Sequence, residues 1–404
     1  MTNVFPYSRQ SIGEDDLEAV IAVLKSDYLT QGPAVDSFER QLAEYGNARY
    51  AVAMSSGTAA LHAAYFSVGI EAGSEIITSP ITFAATSNAA LMLGIKSVFV
   101  DVEPDTGNMN AGLIESAVSS KTKAIVPIHY GGHPVDMDSV YAVARKHGLA
   151  VIEDACHAIS AEYRRQGTGA DSRSSSSKSQ KAEEVDWVRI GSCTHSDITV
   201  FSFHPVKPMT TGEGGAALTN DPEIYKRLRQ FRSHGITKDN FVNASHGDWY
   251  YEMQFLGNNY RMTDIQAALG TSQLKKLDGF TERRRAIAAR YNEVFKDNPY
   301  FDMPVQRSYA RSSHHLYPIR LKDAYKKNKR VIFSRLKEKG LGVQVHYIPV
   351  YLQPYYQQLG FKQGLCRLAE DFYEREISIP LYQGMSDADA DQVVQRLLSA
   401  FKEL

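Results

Sequence analysis

The sequence predicts an α/β protein whose main sheet is mostly parallel, and two observations support this. Apolar, strand-like runs alternate with helical segments over the first half of the 404-residue chain. These runs lack the polar alternation of a strand with one exposed face, which indicates strands buried on both sides. The predicted strands are Tyr50–Met54, Glu75–Thr78, Ser97–Val100, Ala124–Ile128 and Leu149–Ile152. Ligands of such sheets bind beyond the carboxyl ends of the strands.

The predicted helices complete this alternation. Ser11-Ile-Gly-Glu14 has the pattern of a capping box, and the apolar residues that follow it share one helical face. Helices are then predicted over Ala59–Val68, Ala84–Leu93, Ala111–Val118 and Met137–Lys146. A further helix, Phe280–Phe295, leads into a region of closely spaced strands and helices that ends in a helix over Asp387–Phe401. We therefore expect a large domain over residues 1–278 and a smaller α+β domain over 279–404, with residues 1–15 packing near the small domain.

Length, charge and cysteine content limit the class of protein. A chain this long exceeds one hydrophobic core, and 45 basic against 46 acidic residues leave no excess charge for nucleic acid or an anionic membrane. No apolar run is long enough for a membrane span, and the N-terminus lacks the pattern of a signal peptide. Three cysteines without CxxC spacing argue against a disulfide framework and a metal site. We expect a cytoplasmic protein; its serine-rich residues 167–184 are expected to form a flexible insertion.

Lys207 is the first candidate for chemistry. It stands between Pro205 and Pro208, so it belongs to neither a helix interior nor a central strand. It follows the apolar run Ile198–Phe201 and precedes a glycine-rich stretch that lets backbone approach a ligand. Such a lysine suits a Schiff base with a carbonyl cofactor, although a solvated surface lysine is the alternative.

Three further segments supply matching parts, although each also has an ordinary structural explanation. Ser55-Ser-Gly-Thr58, between a strand and a helix, is suited to an anion or to plain helix capping. Asp154 ends an apolar strand, where it either pairs with a protonated pyridine nitrogen or caps a helix, and His157 either contacts the ring or is a core histidine. Phe83 is either an aromatic plate for a planar cofactor or a core residue. Together these parts predict a pyridoxal phosphate site.

The motifs of the chain resemble those of the fold type I pyridoxal phosphate enzymes, and among them the DegT/StrS-type nucleotide-sugar aminotransferases. The resemblance covers nearly the whole chain and rests on Ser55–Leu61, Glu153–His157, Phe201–Lys207, Thr210–Gly215 and Asn259–Leu269. It implies an aspartate-aminotransferase-like fold with a seven-stranded, mostly parallel sheet in the large domain. Three more runs, Phe5–Gln10, Ser26–Pro33 and Ser79–Phe83, resemble the enzymes that move the amino group of L-glutamate to C4 of a UDP-linked 4-keto-6-deoxy-N-acetylhexosamine in pseudaminic acid biosynthesis.

The resemblance also implies residue roles. Lys207 is expected to hold the cofactor as a Schiff base, and Asp154 is expected to pair with its ring nitrogen. The expected cofactor contacts are Ser56, Gly57, Thr58 and Ser202 at the phosphate and Phe83 and His157 at the ring. Asn259 is expected to reach the phosphate of a neighbouring subunit, which implies a homodimer with shared sites. The expected contacts of the sugar nucleotide are Tyr7, Tyr28, Leu29, Thr30, His346 and Tyr347.

Several related functions stay open at the level of the sequence. A 3-dehydratase on the same scaffold has a histidine where this chain has Lys207. An amino-acid aminotransferase needs an arginine for the substrate carboxylate, for which Arg320 and Arg375 are available, and a sulfur-removing lyase belongs to the same fold type. A cofactor-binding regulator without catalysis is the alternative from another class. Amination at C3, or of a different sugar nucleotide, is not distinguished by the sequence.

Overall fold

A computed structural model describes residues 4–164 and 187–402 of the chain. The serine-rich segment 167–184 therefore lies outside the described residues. The strands are β1 Tyr50–Met54, β2 Glu75–Thr78, β3 Lys96–Phe99, β4 Thr122–Val126, β5 Ala150–Asp154, β6 Glu162–Arg164, β7 Trp187–Arg189, β8 Ile198–Ser202, β9 Gly215–Thr219, β10 Ile236–Thr237, β11 Glu252–Met253, β12 Phe301–Asp302, β13 Ala310–Arg311, β14 Tyr317–Leu321 and β15 Glu376–Ile379. The helices are α1 Glu14–Leu24, α2 Pro33–Gly46, α3 Gly57–Ser67, α4 Ala85–Leu91, α5 Ile114–Ala117, α6 Met137–His147, α7 Pro222–Arg232, α8 Asp264–Phe295, α9 Asp323–Lys326, α10 Lys329–Glu338, α11 Pro354–Gln358, α12 Arg367–Arg375 and α13 Asp387–Lys402.

The main sheet has seven strands in the order β1-β9-β8-β5-β4-β2-β3. The pairs from β8 through β5, β4 and β2 to β3 are parallel, whereas β9 runs antiparallel to β1 and β8. Apolar side chains on both faces of this sheet form two separate core clusters, as expected for strands covered by helices on both sides. The predicted mostly parallel sheet of seven strands is confirmed. Its carboxyl edge brings the ends of β1, β2, β5 and β8 together.

A third core cluster lies in the C-terminal region. The antiparallel strands β12, β14 and β15 pack there with the end of α8 and with α10 and α13. Phe5 belongs to this cluster, and its backbone exchanges hydrogen bonds with Gly340 (2.9 Å) and Gly342 (2.7 Å). The domain division at residue 278 stays a prediction, since α8 runs through it without interruption.

Two helix predictions are wrong in their starting points. The first helix begins at Glu14 with Gly13 as its N-cap, because the buried Asp16 carboxylate accepts the Gly13 N–H (2.9 Å) and bonds Gln273 and Lys276 of α8. The helix predicted from residue 280 is the second half of α8. It begins at Asp264, where Thr263 and Gln266 form a capping box. The predicted helix 111–118 is a 3₁₀ turn followed by the short α5.

One face of α1 is apolar and exposed. Leu17, Ile21 and Leu24 are each about half exposed, at 48%, 46% and 54%. Polar contacts between Asp16 and α8 hold this helix in place, so its apolar face is not fully packed against the chain and is available for contact with another molecule. None of the helices within the described ranges is long and apolar enough to cross a membrane. The described residues also contain no cluster of three or more side chains suited to a metal ion.

A buried ion pair between Glu39 of α2 and Arg232 of α7 fixes both helices to β1. The Glu39 carboxylate also accepts the Ala53 N–H (2.8 Å), and Arg232 donates to the Ala53 carbonyl (2.8 Å). Glu39→Gln should lower stability by about 3 kcal/mol, because it leaves the buried Arg232 charge without a partner. The shift of the urea unfolding midpoint measures the loss, with Glu44→Gln at an exposed position of α2 as the control. Equal midpoints for the two variants would show that the pair does not stabilise the fold.

Candidate active site

A cavity of about 860 Å³ opens at the carboxyl edge of the seven-stranded sheet. Loops that follow β1, β2, β5 and β8 form one side, and the segment 344–347 of the C-terminal region forms the other. The sequence-predicted residues that line it are Tyr7, Ser56, Gly57, Thr58, Phe83, Asp154, His157, Ser202, Lys207, His346 and Tyr347. The structure thus brings most of the predicted site residues together.

Lys207 reaches the cavity from a loop closed by backbone hydrogen bonds. Phe203, at the start of the loop, bonds Thr211 (3.0 Å) and Gly214 (2.9 Å), and the Lys207 N–H donates to the carbonyl of His204 (2.9 Å). Burial lowers the pKa of the Lys207 amine, while the nearby Cys156 and Asp154 act in the opposite direction. A lowered pKa enlarges the fraction of neutral amine, which is the nucleophilic form.

Asp154 is the last residue of β5, and its carboxylate has two partners. The Thr86 hydroxyl donates to one oxygen (2.6 Å) and the Cys156 backbone N–H to the other (3.2 Å). Thr86 is fully buried on α4 and is itself hydrogen-bonded to the hydroxyl of Thr82 (2.9 Å). The sequence analysis missed Thr86, because no motif or spacing identifies a threonine that contacts a carboxylate 68 residues away. These contacts orient a buried acid toward the cavity that Lys207 also lines.

The N-terminus of α3 forms a cradle for an anion. Ser56 is the N-cap, and its hydroxyl accepts the Ala59 N–H (3.1 Å). Within the described parts of the chain, the N–H groups of Gly57 and Thr58 make no hydrogen bond, so both are free to bind a ligand at the positive end of an 11-residue helix. A Cβ at Gly57 would lie 3.0 Å from the Ser202 Cβ and 3.2 Å from the Cys156 sulfur, so a larger residue there would require these neighbours to shift.

His157 is buried and held at both ring nitrogens. The Gly131 N–H donates to Nδ1 (3.3 Å), so the proton of the neutral ring lies on Nε2, which is 3.1 Å from the Tyr347 hydroxyl. Burial lowers the pKa of His157 well below its usual value, and Lys207 and His346 lower it further. The imidazole is therefore neutral at pH 7.

The segment that carries His346 and Tyr347 is fixed by buried polar groups. The Glu376 carboxylate accepts the His346 N–H (2.7 Å), Ser378 bonds the His346 ring (2.8 Å), and Tyr130 donates to the His346 carbonyl (2.6 Å). Burial raises the pKa of Glu376. The sequence analysis missed Glu376, Ser378 and Tyr130, because only the folded chain brings them next to residue 346.

Four predicted residues do not line the cavity of the single chain: Tyr28, Leu29, Thr30 and Asn259. All four are exposed. They lie around the start of α8, where the Leu29 carbonyl accepts the Asp264 N–H (3.0 Å), and Thr30 bridges to Thr263. Their roles stay predictions.

The two arginines considered for an amino-acid substrate also lie elsewhere. Arg375 is ion-paired with Asp371 and Asp323. Arg320 lines a different cavity, which is described below. Neither arginine is available to a substrate carboxylate in the candidate site.

Pyridoxal phosphate fits the residues present. The cradle of Gly57 and Thr58 suits its phosphate, the buried Asp154 suits a protonated ring nitrogen, and the Lys207 amine suits its aldehyde. The close approach of Gly57 to Ser202 places a hydroxyl beside the free N–H groups of the cradle.

Comparisons with known proteins agree with this site. Residues 10–398 match the model of the DegT/DnrJ/EryC1/StrS aminotransferase family. A Campylobacter jejuni UDP-4-amino-4,6-dideoxy-N-acetyl-beta-L-altrosamine transaminase is 38% identical over 98% of both chains. Helicobacter pylori PseC, an aminotransferase involved in the biosynthesis of pseudoaminic acid, superposes with a TM-score of 0.88 and 34% identity over 100% of both chains. A proposed sugar aminotransferase from Streptococcus pneumoniae, in its PLP form, gives 0.86 and 28% over 99% of both.

These matches extend over nearly the whole chain, as the sequence motifs do. They confirm the expected aminotransferase fold, the pyridoxal phosphate cofactor and the sugar aminotransferase activity. The chain belongs to the DegT/DnrJ/EryC1/StrS aminotransferase family.

Proposed function

We propose that this protein transfers the amino group of L-glutamate to C4 of a UDP-linked 4-keto-6-deoxy-N-acetylhexosamine, namely UDP-2-acetamido-2,6-dideoxy-β-L-arabino-hex-4-ulose of pseudaminic acid biosynthesis. The observation that carries the proposal is the cavity that Lys207, Asp154 and the Gly57–Thr58 cradle line together. The names of the Campylobacter and Helicobacter relatives support the choice of sugar.

The residues of the chain have distinct tasks in this reaction. When bound, pyridoxal phosphate supplies an aldehyde that captures amines and a cationic ring that withdraws electrons from the neighbouring carbon. Asp154 holds the proton on the ring nitrogen, and the Gly57 and Thr58 N–H groups hold the phosphate. The Lys207 amine, with its lowered pKa, takes the proton from the amino-acid carbon and returns it to the cofactor side. His157 covers the ring in its neutral form.

The lining of the cavity weighs against a 3-dehydratase and suits a sugar nucleotide. A lysine lines the cavity where a 3-dehydratase of this scaffold has a histidine. No arginine lines the cavity as the described residues define it, but L-glutamate must bind in the same cavity, so this does not distinguish an amino acid from a sugar as the second substrate. Tyr7, His346 and Tyr347 instead offer aromatic rings and polar edges, which suit a sugar nucleotide.

A homodimer with shared sites belongs to the same proposal. The single chain exposes Asn259 and the segment Tyr28–Thr30, although these match the family positions that contact the cofactor phosphate and the sugar nucleotide. The exposed apolar face of α1 lies next in sequence to Tyr28. A second subunit that covered these groups would bring Asn259 of one chain to the cavity of the other.

A cytoplasmic location is also proposed. Cys156, Cys193 and Cys366 are all free thiols, which fits a reducing compartment. Both proposed substrates, L-glutamate and a nucleotide sugar, are metabolites of the cytoplasm.

A panel of UDP- and dTDP-linked 4-ketosugars, each incubated with L-glutamate, tests the reaction. We expect a 4-amino product only from the UDP-linked N-acetyl sugar, with 2-oxoglutarate released in equal amount. Mass spectrometry identifies the product, and proton NMR assigns the amine to C4. Amination at C3, or a preference for a dTDP sugar, would contradict the proposed substrate while leaving the aminotransferase class intact.

Lys207→Ala should remove the covalent link between protein and cofactor. The wild-type protein should absorb visible light and, after borohydride, retain the cofactor through denaturation, because Lys207 is the lysine that lines the cavity among the described residues. The variant should lose this retention and transfer activity should fall by about 10³-fold or more. Lys226→Ala, at an exposed position of α7, is the control. Retention of a reducible link in Lys207→Ala would assign the bond to another lysine.

Mixing two inactive variants tests the shared site. Lys207→Ala and Asn259→Ala homodimers should each be impaired, because every site lacks one contact. After mild dissociation and mixing in equal amounts, about a quarter of wild-type activity should return, since half of random dimers are hybrids with one intact site. Each component diluted alone is the control. No gain on mixing would show that Asn259 acts on its own chain's site or has no role there.

A further inference from the structure

A second cavity of about 390 Å³ lies behind the active site, against the C-terminal region. The α8 helix contributes Arg285, Ala289 and Asn292, whose spacing places them on one helical face. Tyr130 and Gly131 form the wall toward the active site, since the same two residues bond His346 and His157. The cavity is therefore distinct from the site described above.

Arg320 faces this cavity from the strand β14. Alternation along the strand directs Tyr317, Ile319 and Leu321 into the hydrophobic cluster, and Arg320 to the opposite face. Its Nη1 donates to the Pro104 carbonyl (2.6 Å) and its Nη2 to the Met303 carbonyl (3.5 Å), but its buried Nε has no acceptor among the described residues. Burial lowers the pKa of Arg320, which means that its charge is poorly solvated there.

Arg285 also faces the cavity and also bonds backbone carbonyl groups. Its Nε donates to the Ser312 carbonyl (2.9 Å), and its Nη2 lies 3.4 Å from the Ser160 carbonyl. Across residues 4–164 and 187–402, no carboxylate forms an ion pair with Arg285 or Arg320. Burial also lowers the pKa of Arg285.

The other charged or titratable groups of the cavity lining are already ion-paired or are neutral. Arg311 is ion-paired with Glu162 (3.2 Å), and Asp105, the carboxylate of the lining, is ion-paired with Arg307 (2.9 Å). His133 and His314 also line the cavity, and burial lowers their pKa values to about 4 and about 3, so both are neutral at pH 7. Arg285 and Arg320 therefore face one cavity without a directly paired carboxylate among the described residues, although Asp302 and Asp105 attract the charge of Arg320, and Glu162 and Asp278 that of Arg285, from a greater distance.

We propose that this cavity is a binding site for a small oxyanion, a phosphate or a short carboxylate, held by the guanidinium groups of Arg285 and Arg320. A guanidinium has five N–H donors, so each arginine keeps donors for an anion besides those that bond carbonyl groups, and burial strengthens such bonds. An anion also provides the acceptor that the Arg320 Nε lacks. This site is independent of the proposed sugar substrate.

Calorimetric titration of the cofactor-loaded protein tests the site. Loading fills the cradle at Gly57 and Thr58, so that added anion does not bind there. Inorganic phosphate and succinate are titrated separately, which distinguishes a phosphate site from a carboxylate site. We expect saturable binding of at least one anion, weakened about ten-fold or more in Arg285→Gln and in Arg320→Gln. Arg330→Gln, at an exposed position of α10, should bind as the wild type does.

Lysine variants keep the test valid if a glutamine variant does not fold. Arg285→Lys and Arg320→Lys retain the charge and lose the two-pronged geometry, so binding should be weakened but detectable. Melting curves of each variant show that it is folded. Absence of binding of both anions to the wild type, or wild-type affinity in the Arg285 and Arg320 variants, would overturn the proposal.

Discussion

The site depends on a carboxylate that is kept in a buried position at the end of a parallel strand. Asp154 ends β5 in the middle of the sheet, where an unpaired charge is costly. The Thr86 hydroxyl and the Cys156 N–H satisfy it on the protein side, and the proposed pairing with a cationic cofactor ring would complete its surroundings on the cavity side. The rest of the site follows from this position, because the loops after β1 and β8 end at the same edge and bring the cradle and Lys207 to the same cavity.

The local motifs of the site could be predicted because each function there uses neighbouring residues. A helix N-terminus, an acid that ends an apolar strand and a lysine between prolines can each be recognised within about ten residues of sequence. The sheet was also predictable, since continuous apolar strands followed by helices favour one architecture. These patterns do not show which loops lie next to one another; that follows only from the folded structure.

Contacts between distant segments could not be predicted. Thr86, Tyr130 and Glu376 look ordinary in sequence, yet each bonds a residue of the cavity wall. The predicted start of α1 is wrong for the same reason. The local serine–glutamate pattern is outweighed by the contacts of Asp16, which bonds a helix some 260 residues later in the chain. Buried polar groups need hydrogen-bond partners, and the fold often supplies these from distant segments. At such positions, tertiary contacts determine the local structure more strongly than short-range sequence patterns do.

In the proposed homodimer, the single chain would build only one side of the substrate space, and this would explain why some predicted residues lie outside its cavity. The cradle, the acid, the amine and the histidine are held by buried hydrogen bonds from the same chain. Phe83, at the rim, is 63% exposed, and the segment Tyr28–Thr30 is open to solvent. Exposed aromatic and aliphatic side chains around a preformed cofactor site are what a two-subunit substrate pocket requires, because the partner then buries them when the pocket forms. One chain thus holds the amine, the acid and the anion cradle of the candidate site, and the proposed homodimer would add Asn259 and the segment Tyr28–Thr30 from the partner.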